Sequence, residues 1–295
     1  MSKNYETLKL SLTILVMLLP STSMGGLLES IDKKPTQKLS VSGNSLVQYE
    51  MGYKYYSGEE VAVDYKEALK WFKLAADHGV PEAQSYIGVM YEKGEGVTQD
   101  YQEASNWYRL AADQGLASAQ YKLGWMYTHG IGAPRDYKEA IKWYRLAAEQ
   151  GLVDAQLDLG GMYAYEQGGL RDEKKMIKWL LKAAEQRNVR VQKFLGAIFY
   201  YGLGVTQDYA EAVKWHKKAS EQGDSSSQNI LGAMYERGRG IPKDYVEAYK
   251  WFSISGESGD GYGQMYRENI GRRKMTPDQI VEAQGLAKEW VEKNK

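Results

Sequence analysis

Residues 82–115 read EAQSYIGVMYEKGEGVTQDYQEASNWYRLAADQG, and the same text returns in register along most of the chain. Six of the eight tryptophans, Trp71, Trp107, Trp143, Trp179, Trp215 and Trp251, stand 36 residues apart without insertion or deletion. Gln48, Gln84, Gln120, Gln156, Gln192, Gln228 and Gln264 keep that spacing, as do Gly52, Gly88, Gly124, Gly160, Gly196 and Gly232. One supersecondary unit is therefore copied six times.

Each copy divides at its glycines. A first helix is expected from about Glu82 to Glu92, ended by the loop Gly94-Glu95-Gly96. A second helix follows with Asp100 as its N-cap and Glu103 three residues on, where a carboxylate satisfies orphan amides and favours the positive helix end. Asp64 with Glu67, Asp136 with Glu139, Asp208 with Glu211 and Asp244 with Glu247 repeat the arrangement, which makes it a structural cap rather than a series of catalytic dyads. Gly79, Gly115, Gly151, Gly223 and Gly259 suit the left-handed position after the second helix. Ala83, Gly88, Ala104 and Ala111 admit close helix approach, and the tryptophan column is expected in the core.

Composition narrows the function. The 295 residues carry 38 basic and 38 acidic side chains, so no basic excess points to nucleic acid. With no cysteine there is no disulfide, thiolate metal site or cysteine nucleophile. His78, His129 and His216 are too scattered for a zinc site. No Gly-x-Ser-x-Gly or His-Glu-x-x-His occurs, and the lone Ser-x-x-Lys, Ser30 to Lys33, has no companion motif. The reading is a non-enzyme with no cofactor and no metal. At the amino terminus Lys3 and Lys9 precede an apolar run, Leu10 to Leu19, then Pro20, Ser21 and Ser23. This is read as a signal peptide over residues 1–25, cleaved between Ser23 and Gly26, since a span needs about 20 apolar residues. Residues 26–42 are read as a flexible leader.

The pattern Ala-Gln-x-x-Leu-Gly-x-Met-Tyr, Gly-x-Gly-Val-x-x-Asp-Tyr-x-Glu-Ala and Trp-Tyr-x-x-Ala-Ala-x-Gln-Gly resembles the Sel-1-like repeat, a relative of the tetratricopeptide repeat. The resemblance covers about residues 43–258 and implies an all-α, right-handed α-solenoid of six helix-turn-helix repeats. Residues 259–295 resemble the family's terminator, with Thr276 as N-cap, Pro277 at the first helical position, and Ile280, Ala283, Ala287 and Trp290 as its apolar stripe. What it implies for function is a monomeric scaffold, periplasmic or extracellular, that holds a partner protein or peptide in cell-envelope or host-contact processes. Two alternatives stand beside it: a cell-wall or β-lactam hydrolase, as suggested for a cysteine-rich branch, and an intracellular adaptor.

Partner-facing columns of the tetratricopeptide relatives fall on the first helix at i, i+4 and i+7. Here they read Tyr49, Tyr53, Tyr56; Ser85, Val89, Glu92; Tyr121, Trp125, Thr128; Leu157, Gly161, Ala164; and Lys193, Ala197, Tyr200. The aromatics concentrate in the first three copies, and His129, Tyr165 and Tyr201 extend the same edge. The expected partner-binding residues are Tyr49, Tyr53, Tyr56, Tyr121, Trp125, His129, Tyr200 and Tyr201, anchors of large area and low rotamer cost. The fourth copy departs from the pattern at Glu166, Glu173, Lys175 and Arg187, so limited proteolysis is expected to cut first between residues 166 and 191; a first cut elsewhere in the array would contradict this.

Overall fold

A computed structural model of the chain describes residues 43–164 and 171–294, all of whose regular structure is α-helical. The signal peptide, the leader, Tyr165 and Glu166 lie outside the described residues. The first helices of the copies are α1 (Gly43–Ser57), α3 (Pro81–Lys93), α5 (Ala117–His129), α7 (Val153–Ala164), α9 (Val189–Tyr201) and α11 (Ser225–Arg237). The second helices are α2 (Tyr65–Asp77), α4 (Tyr101–Asp113), α6 (Tyr137–Glu149), α8 (Glu173–Glu185), α10 (Tyr209–Ser220) and α12 (Tyr245–Glu257). Two more, α13 (Gly261–Lys274) and α14 (Pro277–Lys293), follow. The chain forms two compact units, the division falling within α8 between Lys182 and Ala183. Within each, successive helices pack on one another as hairpins.

The caps explain where the second helices begin. Asp64, Asp100, Asp136, Asp208 and Asp244 each accept hydrogen bonds from the amides two and three residues on. For Asp100 the distances are 2.9 Å to Gln102 N and 3.1 Å to Glu103 N. Removing such a cap costs about 1 kcal/mol.

The glycine column is explained by the residue after each tryptophan. A Cβ on Gly52, Gly88, Gly124 or Gly232 would lie 2.6, 2.9, 2.5 or 2.8 Å from the ring of Phe72, Tyr108, Tyr144 or Phe252. On Gly196 it would meet His216 at 2.6 Å, and on Gly160 the aliphatic Leu180 at 3.3 Å. In five of six copies a flat ring of the second helix therefore lies directly on the backbone of the first, and only a residue without Cβ admits it.

The glutamine column joins neighbouring helices. Gln120, Gln156, Gln192 and Gln228 donate to the carbonyls of Ala112, Ala148, Ala184 and Ser220 at 2.9–3.1 Å, satisfying orphan acceptors at the end of the preceding helix. Gln114, Gln150 and Gln222 in turn donate to Gln84, Gln120 and Gln192. The tryptophans split: Trp143, Trp179, Trp215 and Trp251 are buried, while Trp71 and Trp107 are half-buried. Lysines lie over the outer faces of the four buried rings, as with Lys218 at 4.5 Å from the Trp215 centroid.

In the fourth copy, Lys175 stands where the others have glutamate, yet the cap survives. Asp172 accepts from Lys175 N at 3.0 Å and pairs with Lys175 Nζ at 3.1 Å. Arg187 holds the turn position at φ 63°, a left-handed conformation its Cβ disfavours. Arg187→Gly is expected to raise stability by about 1 kcal/mol, the strain relieved less the entropy cost of glycine. Urea midpoints of the two chains check this, and a lower midpoint for the glycine variant would contradict it.

At the carboxyl end Thr276 and Gln279 form a reciprocal capping box that starts α14. Helix α14 packs on α12, burying Ala283 and Ala287 and setting Trp290 edge-on to Trp251 at 5.8 Å.

Candidate functional site

In the N-terminal unit the expected anchors separate into packing and surface. Tyr49 is completely buried, between Phe72 at 5.9 Å and Tyr86 at 6.1 Å, and so is not an anchor available to a partner. Tyr121 is buried as well: its ring lies 5.4 Å from Tyr144 and its hydroxyl donates to Asp158 at 2.8 Å. In both cases a ring column of the adjacent helix covers the tyrosine, so the aromatic enrichment of the first copies is largely internal. Tyr53 and Tyr56 are half-buried, edge-on to Tyr86, and the Tyr56 hydroxyl donates to Glu95 at 2.8 Å. Trp125 is half-buried and His129 exposed, the two rings stacked with centroids 4.3 Å apart and the imidazole Nδ1 2.8 Å from the Trp125 carbonyl.

Three ionisable side chains are held inside this wall. Glu92 and Lys122 pair at 3.2 Å with little exposure, and the Tyr108 hydroxyl donates to the same carboxylate. Burial pushes the Asp158 carboxyl up to about 6, against the hydrogen bonds from Tyr121 and Tyr144 that favour its charged form.

The C-terminal unit carries an open groove of 590 Å³. One wall is α9, with Ala197, Tyr200 and Tyr201; the middle is α11, with Asn229, Ala233 and Glu236; the far wall is α13, with Tyr262 and Tyr266. Its origin is a change of size in one column. The i+4 position is Tyr53, Val89 and Trp125 in the first three copies but Ala197 and Ala233 in the last two, so the space that side chains fill earlier stays empty. Tyr201 and Tyr262 are 64% and 68% exposed. Tyr200 is fixed from behind, edge-on to Tyr209 at 5.2 Å with the Arg239 guanidinium bonded to its hydroxyl and stacked on its ring.

Asn229 Nδ2 donates to Asp260 Oδ2 at 3.1 Å, and Asp260 also caps α13 through Tyr262 N. That bond fixes the amide's orientation, because a carboxylate only accepts. The Asn229 Oδ1 is buried without a hydrogen-bond partner. Asn229, Ala233 and Glu236 occupy the sixth copy's i, i+4 and i+7 columns. The sequence reading stopped at the fifth copy and missed them, although the same columns name them. Tyr262 and Tyr266 fall outside the i, i+4 and i+7 columns, on a helix that follows the last tryptophan of the 36-residue column.

Beneath the groove His216 is fully buried, its Nδ1 3.3 Å from the Ser227 hydroxyl and its Nε2 without a partner against Gly196. Burial lowers its pKa to about 4. Ser227 is equally buried, so this Ser–His contact offers no reachable nucleophile. Among the described residues no cluster of histidine and carboxylate side chains could hold a metal ion, and no helix is long and apolar enough to cross a membrane.

The repeat geometry agrees with the comparisons. The Sel1 repeat model matches residues 45–80, 81–116, 117–152, 153–188, 190–224 and 225–260, and the chain belongs to the Sel1 repeat family. A protective antigen of uropathogenic Escherichia coli strains displaying an SLR fold is 35% identical with a TM-score of 0.69, over 92% of this chain and 56% of that one. A Sel1 repeat protein from Oxalobacter formigenes is 32% identical with a TM-score of 0.61, over 78% of this chain and 66% of that one. The chain thus spans less than two thirds of either structure. No curated protein matches it. Sel1 repeat proteins are generally protein-interaction scaffolds, and the fold is typically non-enzymatic.

Proposed function

We propose that this chain is an exported scaffold that holds a partner protein in the groove of its C-terminal unit. The observation that carries the reading is the set of tyrosines on α9 and α13 around a groove emptied by Ala197 and Ala233. Tyrosines presented this way anchor protein interfaces, each covering a large area while keeping a hydroxyl for a polar contact. Export rests on Lys3, Lys9 and the apolar run Leu10 to Leu19, with a periplasmic or extracellular destination. The likeness to an Escherichia coli protective antigen supports a role at the cell envelope or in host contact.

The test is a pull-down from envelope and host-cell extracts with the mature protein, beside Tyr201→Ser/Tyr262→Ser and Trp125→Ala variants. A partner lost only by the double tyrosine variant, with helicity unchanged, supports the groove. Loss only with Trp125→Ala moves the site to the N-terminal unit, and equal retention by all three removes both surfaces.

A further inference from the structure

We propose that the groove of the C-terminal unit recognises a basic side chain, arginine or lysine, on an extended segment of the partner. This rests on the groove being the partner site and adds the chemistry of what enters it. The unmet groups there are acceptors. Asn229 Oδ1 is buried and unpartnered beneath the groove floor, out of an occupant's direct reach. Glu236, seven residues on along the same face of α11, is half-buried and lines the groove with no ion pair or hydrogen bond of its own among the described residues. The Asp260 carboxylate, although it already accepts from Asn229 Nδ2 and Tyr262 N, adds a second negative charge at the α13 end.

Charge and shape agree. Glu236 and Asp260 face the groove against one cation, Arg237, which is exposed. The lysine on α9 at the groove's edge, Lys193, is already paired with Asp224 at 2.9 Å. The walls are tyrosines, whose faces attract cations; the same unit already shows this with the Arg239 guanidinium 5.8 Å from the Tyr200 centroid and 5.5 Å from that of Tyr209. An acidic occupant would set its charge beside two carboxylates. An aliphatic one would bury Glu236 unpaired. Ala197 and Ala233 leave room for a backbone to lie across α9 and α11, with a long cationic side chain reaching between Tyr262 and Glu236.

The experiment uses the full mature chain and four libraries of acetylated, amidated decapeptides. Each library has arginine, lysine, glutamate or leucine fixed at the centre and mixed residues elsewhere. Retention of the arginine and lysine libraries about tenfold above the others is expected, weakening with added salt. Glu236→Gln should reduce that preference several-fold, and Glu236→Lys should abolish it while helicity is kept. Equal retention of all four libraries, lost together in Tyr201→Ser/Tyr262→Ser, would overturn the basic chemistry yet keep the groove as the site. Preference for glutamate, or no retention above that double variant, would also overturn it, and the pull-down then decides the broader reading separately.

Discussion

Gly124→Ala is expected to destabilise the N-terminal unit by about 1–2 kcal/mol, although alanine is the better helix former by about 1 kcal/mol. The added Cβ would lie 2.5 Å from Tyr144 Cδ1, 2.7 Å from Cε1 and 2.9 Å from Cγ, so it presses on the ring's face rather than on one flexible tip. Tyr144 has nowhere to go: it is buried, packed against Tyr121, and hydrogen-bonded through its hydroxyl to Asp158. Overpacking of this kind costs about 1–3 kcal/mol, which exceeds the gain in helix propensity. The informative control is Gly160→Ala, where the neighbour is Leu180 at 3.3 Å, a side chain that can shift by a few tenths of an ångström. There the propensity gain should win, leaving stability unchanged or raised by up to about 1 kcal/mol. Urea unfolding followed by helicity reads both. Similar effects at the two positions would mean that the ring lock does not set the glycine column.

That column shows where sequence reading succeeds and where it stops. Spacing alone located the helices, because Asp64, Asp100, Asp136, Asp208 and Asp244 cap by local bonds that need no knowledge of the neighbours. The reason for the glycines was hidden, since the residue that lies on them changes from Phe72 to Tyr108, Tyr144, Leu180, His216 and Phe252 beside an unchanging tryptophan. Aromatic content likewise could not separate wall from core. Tyr49 and Tyr121 occupy partner-facing columns, but each is covered by rings from adjacent helices, a contact no single helix pattern displays. The groove was legible only in part. Tyr200 and Tyr201 were read from their column and edge, whereas the opening depends on small residues, Ala197 and Ala233, whose importance is the volume they leave empty. An empty volume is a property of neighbours in space.

His216→Phe is expected to change how the C-terminal unit responds to acid. His216 occupies the ring slot over Gly196 that Phe72 and Phe252 occupy over Gly52 and Gly232, at the same 2.6–2.8 Å approach, so phenylalanine fits the position. Burial lowers the imidazole pKa to about 4, with Asp224 raising it and Lys193 lowering it to lesser degrees. An unfolded histidine titrates near 6.5. As pH falls below 6.5, the unfolded chain binds a proton that the folded chain refuses until about pH 4, so stability is lost with acidification across that window. The loss between pH 7.5 and 4.5 amounts to roughly 2–3 kcal/mol, and phenylalanine removes it. Asp158 acts with the opposite sign in the N-terminal unit. Its folded pKa of about 6 lies above the ordinary carboxyl value, so acidification over that range favours its folded form. The measurement is therefore a difference: urea midpoints of wild type and His216→Phe at pH 7.5 and 4.5, the Asp158 contribution being common to both. The variant's advantage should grow by about 2–3 kcal/mol at the lower pH. An advantage that stays constant would show that His216 binds its proton as readily folded as unfolded, and that the slot over Gly196 tolerates a charge.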